Sequence, residues 1–136
     1  MGGAMLLGLN HLGIVVRDLE AALPYYVETL GLAAHDREDL PAAGVRLLYV
    51  ETGSGTIQLL QPIGPGPARD YLDQHGEGPD HISYTVADIP AALAALAPGA
   101  GVPIFMGGRG RRACFLPGRH HGLRIELTEA EPFQPR

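Results

Sequence analysis

The 136-residue sequence holds a single cysteine, Cys114. An intramolecular disulfide is therefore excluded, as is any zinc site built from cysteines, and a reducing compartment suits the chain. Positive charge is also scarce. Ten Lys and Arg stand against fifteen Asp and Glu, for a net charge of −5. A nucleic-acid binder carries a basic footprint, so that class is set aside. No apolar run approaches the roughly 20 residues of a membrane-spanning helix. The opening "MGGAMLLGLN" has neither a basic start nor a full apolar stretch, so no signal peptide is expected. The chain reads as a cytoplasmic protein.

What is present suits a packed core. Hydrophobic residues make up 46% of the chain, and 19 Gly and 12 Pro favour many turns between short elements. The length fits one domain, or two half-size repeats that share a core.

The second of these is written into the sequence. "HLGIVVRDLEAA" begins at His11 and "HISYTVADIPAA" at His81, an offset of 70. Asp18 then meets Asp88, and Ala21-Ala22 meets Ala91-Ala92. In each copy a histidine heads a strand-like run, and the run ends at an Asp suited to capping a helix. The helices are expected over about 19–30, ending at Gly31, and about 89–97, ending near Pro98-Gly99. "GVRLLYVETGSGTIQLLQP" and "RRACFLPGRHHGLRIELTE" each read as strand, turn, strand. Further strands are expected around 32–36 and 102–106. Each half is thus β-α-β-β-β, and the expected class is α+β, with two tandem βαβββ repeats, about 7–62 and 78–129, pairing into a mixed sheet around a cleft. The connection between the halves carries "GPGP" and a short helix around 68–74.

In such a pair, matching strands present matching positions. Gln58 in "TIQLLQ" meets Glu126 in "RIELTE", at an offset of 68. Both sit between apolar neighbours that point to the opposite face, and a polar side chain on a central strand requires a partner. Two imidazoles, an amide oxygen and a carboxylate suit a divalent metal such as Co, Mn, Ni, Zn or Fe. The repeat therefore marks His11, Gln58, His81 and Glu126 as candidate metal ligands.

From about Leu7 to Glu129 the chain resembles the vicinal oxygen chelate superfamily, which holds glyoxalase I, methylmalonyl-CoA epimerases, extradiol dioxygenases, fosfomycin-resistance enzymes and bleomycin-binding proteins. The methylmalonyl-CoA epimerase family matches best, through "NHLGIVVRDLEAALPYY", "GSGTIQLLQPIGP", "GPDHISYTVADI" and "HGLRIELTE". The resemblance implies a glyoxalase-like fold and a homodimer. It puts the four candidates on metal-ligand positions and implies proton abstraction beside a chelated carbonyl. Catalytic roles fall on Glu126 and on Glu38, whose place in "REDLPAAGV" matches a family Glu; Asp39 is one residue away. The implied substrate is a small molecule, an acyl-CoA or a glutathione adduct. The alternatives are a glyoxalase I-type lactoylglutathione lyase and a metal-free drug-binding protein of the bleomycin-resistance kind. The sequence departs from the family at Asp80, which replaces the first of two histidines, and in "CFLPGRHHG", where His120-His121 are expected in a turn. Arg109, Arg111 and Arg112 form a Gly-Arg loop that reads equally as an exposed loop or as a grip for phosphate or carboxylate.

Overall fold

The computed structural model describes residues 5–135. Residues 1–4, where the signal-peptide reading begins, lie outside them.

Each repeat folds as strand, helix and three strands. The first comprises β1 (Gly8–Val15), α1 (Leu19–Pro24), β2 (Ala33–Leu40), β3 (Val45–Glu51) and β4 (Thr56–Pro62). A helix in the connection, α2 (Pro67–His75), leads to β5 (Gly78–Val86), α3 (Ile89–Leu96), β6 (Phe105–Met106), β7 (Arg112–His120) and β8 (Leu123–Glu129). The class is α+β, as the pattern of the halves predicts. No helix among the described residues is long and apolar enough to cross a membrane.

By packing, the chain forms two compact units, residues 11–80 and residues 5–10 with 81–135. The division does not follow the repeat boundary: residues before His11 belong with the second repeat. Leu7 N–H donates to the Thr85 carbonyl at 2.7 Å, and the Asn10 amide donates to the Thr85 hydroxyl at 3.1 Å.

In the first unit the strand order is β2-β3-β4-β1, with β1 parallel to β4 and the other pairs antiparallel. Leu48, Val50 and Leu59 pack under α1 with Leu19. On the other face Val15, Leu47, Tyr49 and Leu60 meet Ala68 and Leu72 of α2. The second unit repeats the plan with the order β5-β8-β7-β6, where β5 and β8 are parallel. Val86, Cys114 and Leu127 there pack against Ile89 and Ala92 of α3. α1 and α2 thus lie on opposite faces of the first half-sheet, and alternation along the strands decides which residues each helix covers. The Asp caps fall where the repeat places them. Asp18 accepts from Glu20 N–H at 3.0 Å and Asp88 from Ala91 N–H at 2.9 Å.

Three elements differ from their expected form. The first helix is α-helical only to Pro24, and Tyr25–Thr29 form a π-helical turn. Pro24 has no N–H for the bond to Glu20, which loosens the ladder at that point. Leu30 N–H then reaches back five residues to the Tyr25 carbonyl at 2.9 Å. β2 runs to Leu40 instead of stopping near Asp36, so Glu38 lies in a strand and not a loop. Its counterpart β6 has only two residues, because Pro103 cannot donate to a ladder.

Candidate metal centre

In the first unit, β1 pairs with β4 so that Gly13 lies opposite Gln58. His11, two residues earlier, shares that face. On the next strand Gln58 lies opposite Tyr49, and Tyr49 opposite His35 of β2. One row across the half-sheet therefore carries His35, Tyr49 and Gln58, with His11 beside it. His11 is 2% exposed and Gln58 5%. The His11 ring meets Tyr49 edge-on, with centroids 5.8 Å apart. The Gln58 Nε2 donates to the Tyr49 hydroxyl at 3.1 Å, so the tyrosine engages the nitrogen end of the amide. His35 stacks on Tyr49 at 5.7 Å, with its ring nitrogens bonded to Asp36 at 2.9 Å and Glu51 at 2.7 Å. These hydrogen bonds, Asp36 first, raise the imidazole pKa above its ordinary value.

Glu38 reaches the same face through a bulge. His35 and Glu38 are three residues apart, so a regular strand would point them to opposite faces. Between them the register shifts, with Asp36 at φ +54°, and Glu38 lies opposite Leu47. An extra residue in one strand accounts for this. Glu38 is half-buried. Asp39 falls on the other face, where Arg46 holds it with bonds of 2.7 and 3.0 Å and keeps its carboxyl below the usual range.

The second unit repeats the register. β5 pairs with β8 so that Ser83 lies opposite Glu126, and His81, two residues before Ser83, shares their face. His81 is 1% exposed and Glu126 7%. Glu126 Oε1 lies 3.8 Å from His81 Nε2, too far for a hydrogen bond. The Thr128 hydroxyl donates to the same oxygen at 3.3 Å and is itself held by the Ser83 hydroxyl at 2.7 Å. Phe115, opposite Glu126, meets the His81 ring edge-on at 5.4 Å, and the Arg124 guanidinium lies 3.7 Å over Phe115. Asp80 is buried, but as the neighbour of His81 in β5 it points to the opposite face.

The donor set fits a divalent ion. Two imidazoles, an amide oxygen and one carboxylate are ligands that borderline metals accept. All four side chains are buried, where an ionised carboxylate needs compensating charge.

The arginines of the Gly-Arg loop each make a bond within the fold. Arg112 donates to both oxygens of Glu129, at 2.8 and 2.7 Å. Arg111 donates to the Ala130 carbonyl, and Arg109 to the Asn10 side-chain oxygen at 2.9 Å. His120 ends β7 and His121, at φ +54°, lies in the following turn.

Sequence reasoning missed Tyr49, Ser83 and Thr128. Tyr49 had a signal, since the short β3–β4 turn, closed by Thr52 N–H on the Gly55 carbonyl, sets Tyr49 opposite Gln58.

Residues 10–115 match the family model of the glyoxalase/bleomycin resistance protein/dioxygenase superfamily. The chain belongs to this superfamily. It is 36% identical over 130 residues to the ethylmalonyl-CoA/methylmalonyl-CoA epimerase of Cereibacter sphaeroides, covering 89% of this chain and 96% of the relative. Among solved structures, methylmalonyl-CoA epimerase from Mycobacterium tuberculosis superposes with a TM-score of 0.83 at 27% identity, covering 97% of this chain and 93% of the other. A variant of the Streptomyces coelicolor methylmalonyl-CoA epimerase, in complex with 2-nitronate-propionyl-CoA, gives 0.78 at 30% identity, covering 91% and 97%. The superfamily member described here thus has the glyoxalase-like fold expected from its repeats.

Proposed function

We propose that this superfamily member is a metal-dependent epimerase that inverts C2 of a 2-substituted malonyl-CoA thioester. His11, His81 and Glu126 hold one divalent ion, with Gln58 as the fourth protein ligand. Co, Mn, Ni, Zn and Fe all suit these donors. The observation that carries the reading is the matched register. Gly13 faces Gln58 as Ser83 faces Glu126, so each repeat offers one buried histidine and one buried oxygen donor from the same positions. The similarity to ethylmalonyl-CoA/methylmalonyl-CoA epimerase supports the choice of substrate class. A homodimer is proposed on the resemblance alone.

When bound, the ion supplies Lewis-acid stabilisation of the charge that builds on the substrate's carbonyl oxygens. The protein moves the proton. The hydrogen on C2 lies between two carbonyl groups and is already acidic. Glu38 takes it on one face as general base; on the other face Glu126 would return a proton that it first takes up from solvent on release from the ion, and Glu38 gives its own proton back to solvent to reset the pair. Thr128, anchored by Ser83, keeps Glu126 in position for that exchange.

The test is solvent deuterium exchange at C2 of methylmalonyl-CoA, with Co(II) or Mn(II) restored to metal-stripped protein. Exchange should require the metal and fall by about 10²–10⁴-fold in Glu38→Gln, which leaves the ligand set intact. Stoichiometric metal binding without any exchange would refute the assigned reaction.

A further inference from the structure

The two oxygen donors of the centre are not chemically alike, and their neighbours differ to match. Glu126 offers two oxygens, each able to accept a hydrogen bond or bind a cation. Its companion is a hydroxyl that donates, Thr128 at 3.3 Å. Gln58 offers one oxygen and one NH2, and only the oxygen can ligate a metal. Its companion is a hydroxyl used as an acceptor, Tyr49 at 3.1 Å from Nε2. The amide is buried, so without that acceptor one of its N–H groups loses its partner away from water.

Tyr49 is itself held on both sides. Its ring lies against the His11 edge at 5.8 Å and under the His35 ring at 5.7 Å, inclined by 20°. His35 is in turn fixed by Asp36 and Glu51. The hydroxyl therefore has a defined place opposite Gln58.

We infer that Tyr49 is a positioning residue that engages the nitrogen end of the Gln58 amide and so presents the oxygen end to the metal. The inference rests on the metal site proposed above. It concerns a residue outside the proposed ligand set, and it predicts an effect that depends on Gln58 being an amide.

A double-mutant cycle tests this. Tyr49→Phe keeps the ring and its packing and removes only the hydroxyl. Gln58→Ala removes the amide that the hydroxyl is inferred to orient. Co(II) affinity is measured on metal-stripped protein by competition with a chelating dye, with circular dichroism confirming that each variant is folded. In the Gln58 background Tyr49→Phe should weaken Co(II) binding by about 10–100-fold, the usual effect of losing an outer partner. In the Gln58→Ala background the same change should cost less than about threefold, since no amide remains for the hydroxyl to orient. Unchanged affinity in Tyr49→Phe, or an equal loss in both backgrounds, overturns the inference and leaves the site standing. Failure of the wild type to take up Co(II) overturns the site as well.

Discussion

Arg112→Met should destabilise the protein by about 3 kcal/mol, the lower end of what removing one partner of a buried ion pair costs. Glu129 is 5% exposed. Its carboxylate receives two hydrogen bonds from Arg112, at 2.8 and 2.7 Å, and one from Ile89 N–H at 2.8 Å. The variant leaves a buried charge with one backbone donor. The lower end applies because the Arg112 side chain is 24% exposed, so water softens the pair. At roughly 2.1 cal/mol/K of unfolding entropy per residue, 136 residues give about 0.29 kcal/mol/K, and Tm should fall by about 10 °C. The pH dependence carries a second signature. Burial raises the Glu129 pKa, but the Arg112 and Ile89 bonds outweigh it and the net shift is downward. A lowered folded pKa gives stability that is present above the unfolded value near 4.5 and lost as pH falls through the folded value. Without Arg112, burial dominates and the shift reverses, so the deficit of the variant should shrink as pH drops from 7 toward 5. Glu129 and Glu126 are three residues apart on β8 and face opposite ways, so Co(II) affinity should be unaffected. The assay is thermal and urea unfolding by circular dichroism across pH. A loss below about 1 kcal/mol, typical of an exposed pair, would refute the reasoning. So would a double variant Arg112→Met, Glu129→Met as unstable as the single one, because removing both charges leaves none uncompensated.

Two further predictions concern single side chains. His11→Ala and Glu126→Ala should each weaken metal binding by more than the roughly 10–100-fold expected for an outer partner, and isothermal titration with Co(II) reads this directly; retained tight binding in both would remove the site. Burial, aided by the nearby Glu126 carboxylate, pushes the Cys114 thiol up to about 11, so a thiol reagent at pH 8 should label native protein far more slowly than urea-unfolded protein. Equal rates would contradict the packing of Cys114 against α3.

The repeat made much of the fold and of the candidate site legible. His11 and His81, Asp18 and Asp88, and Gln58 and Glu126 recur at offsets of 70 and 68. Strand alternation puts each of the four polar donors on the face away from its apolar neighbours. Those are local rules, carried by periods of two residues in strands and by turn and cap chemistry within a few positions. The extent of β2, its bulge and the shared face of His35 and Glu38 were not legible. A bulge is set by pairing with β3, and periodicity counted from His35 sends Glu38 the wrong way. The arginines of "GGRGRR" look free in the sequence because their acceptors, Asn10, Glu129 and Ala130, lie 17 to 99 residues away.

By itself, then, the sequence determined the repeated βαβββ pattern and marked the four candidate donor positions, because alternation, caps and turns act over neighbouring residues. Tertiary structure alone decided that Tyr49 engages the Gln58 amide, that Thr128 and Ser83 steady Glu126, that Glu38 and not Asp39 shares the face of Gln58, and that Arg112 serves Glu129. Each depends on which strand lies beside which and in what register, and that is settled only when the whole unit packs.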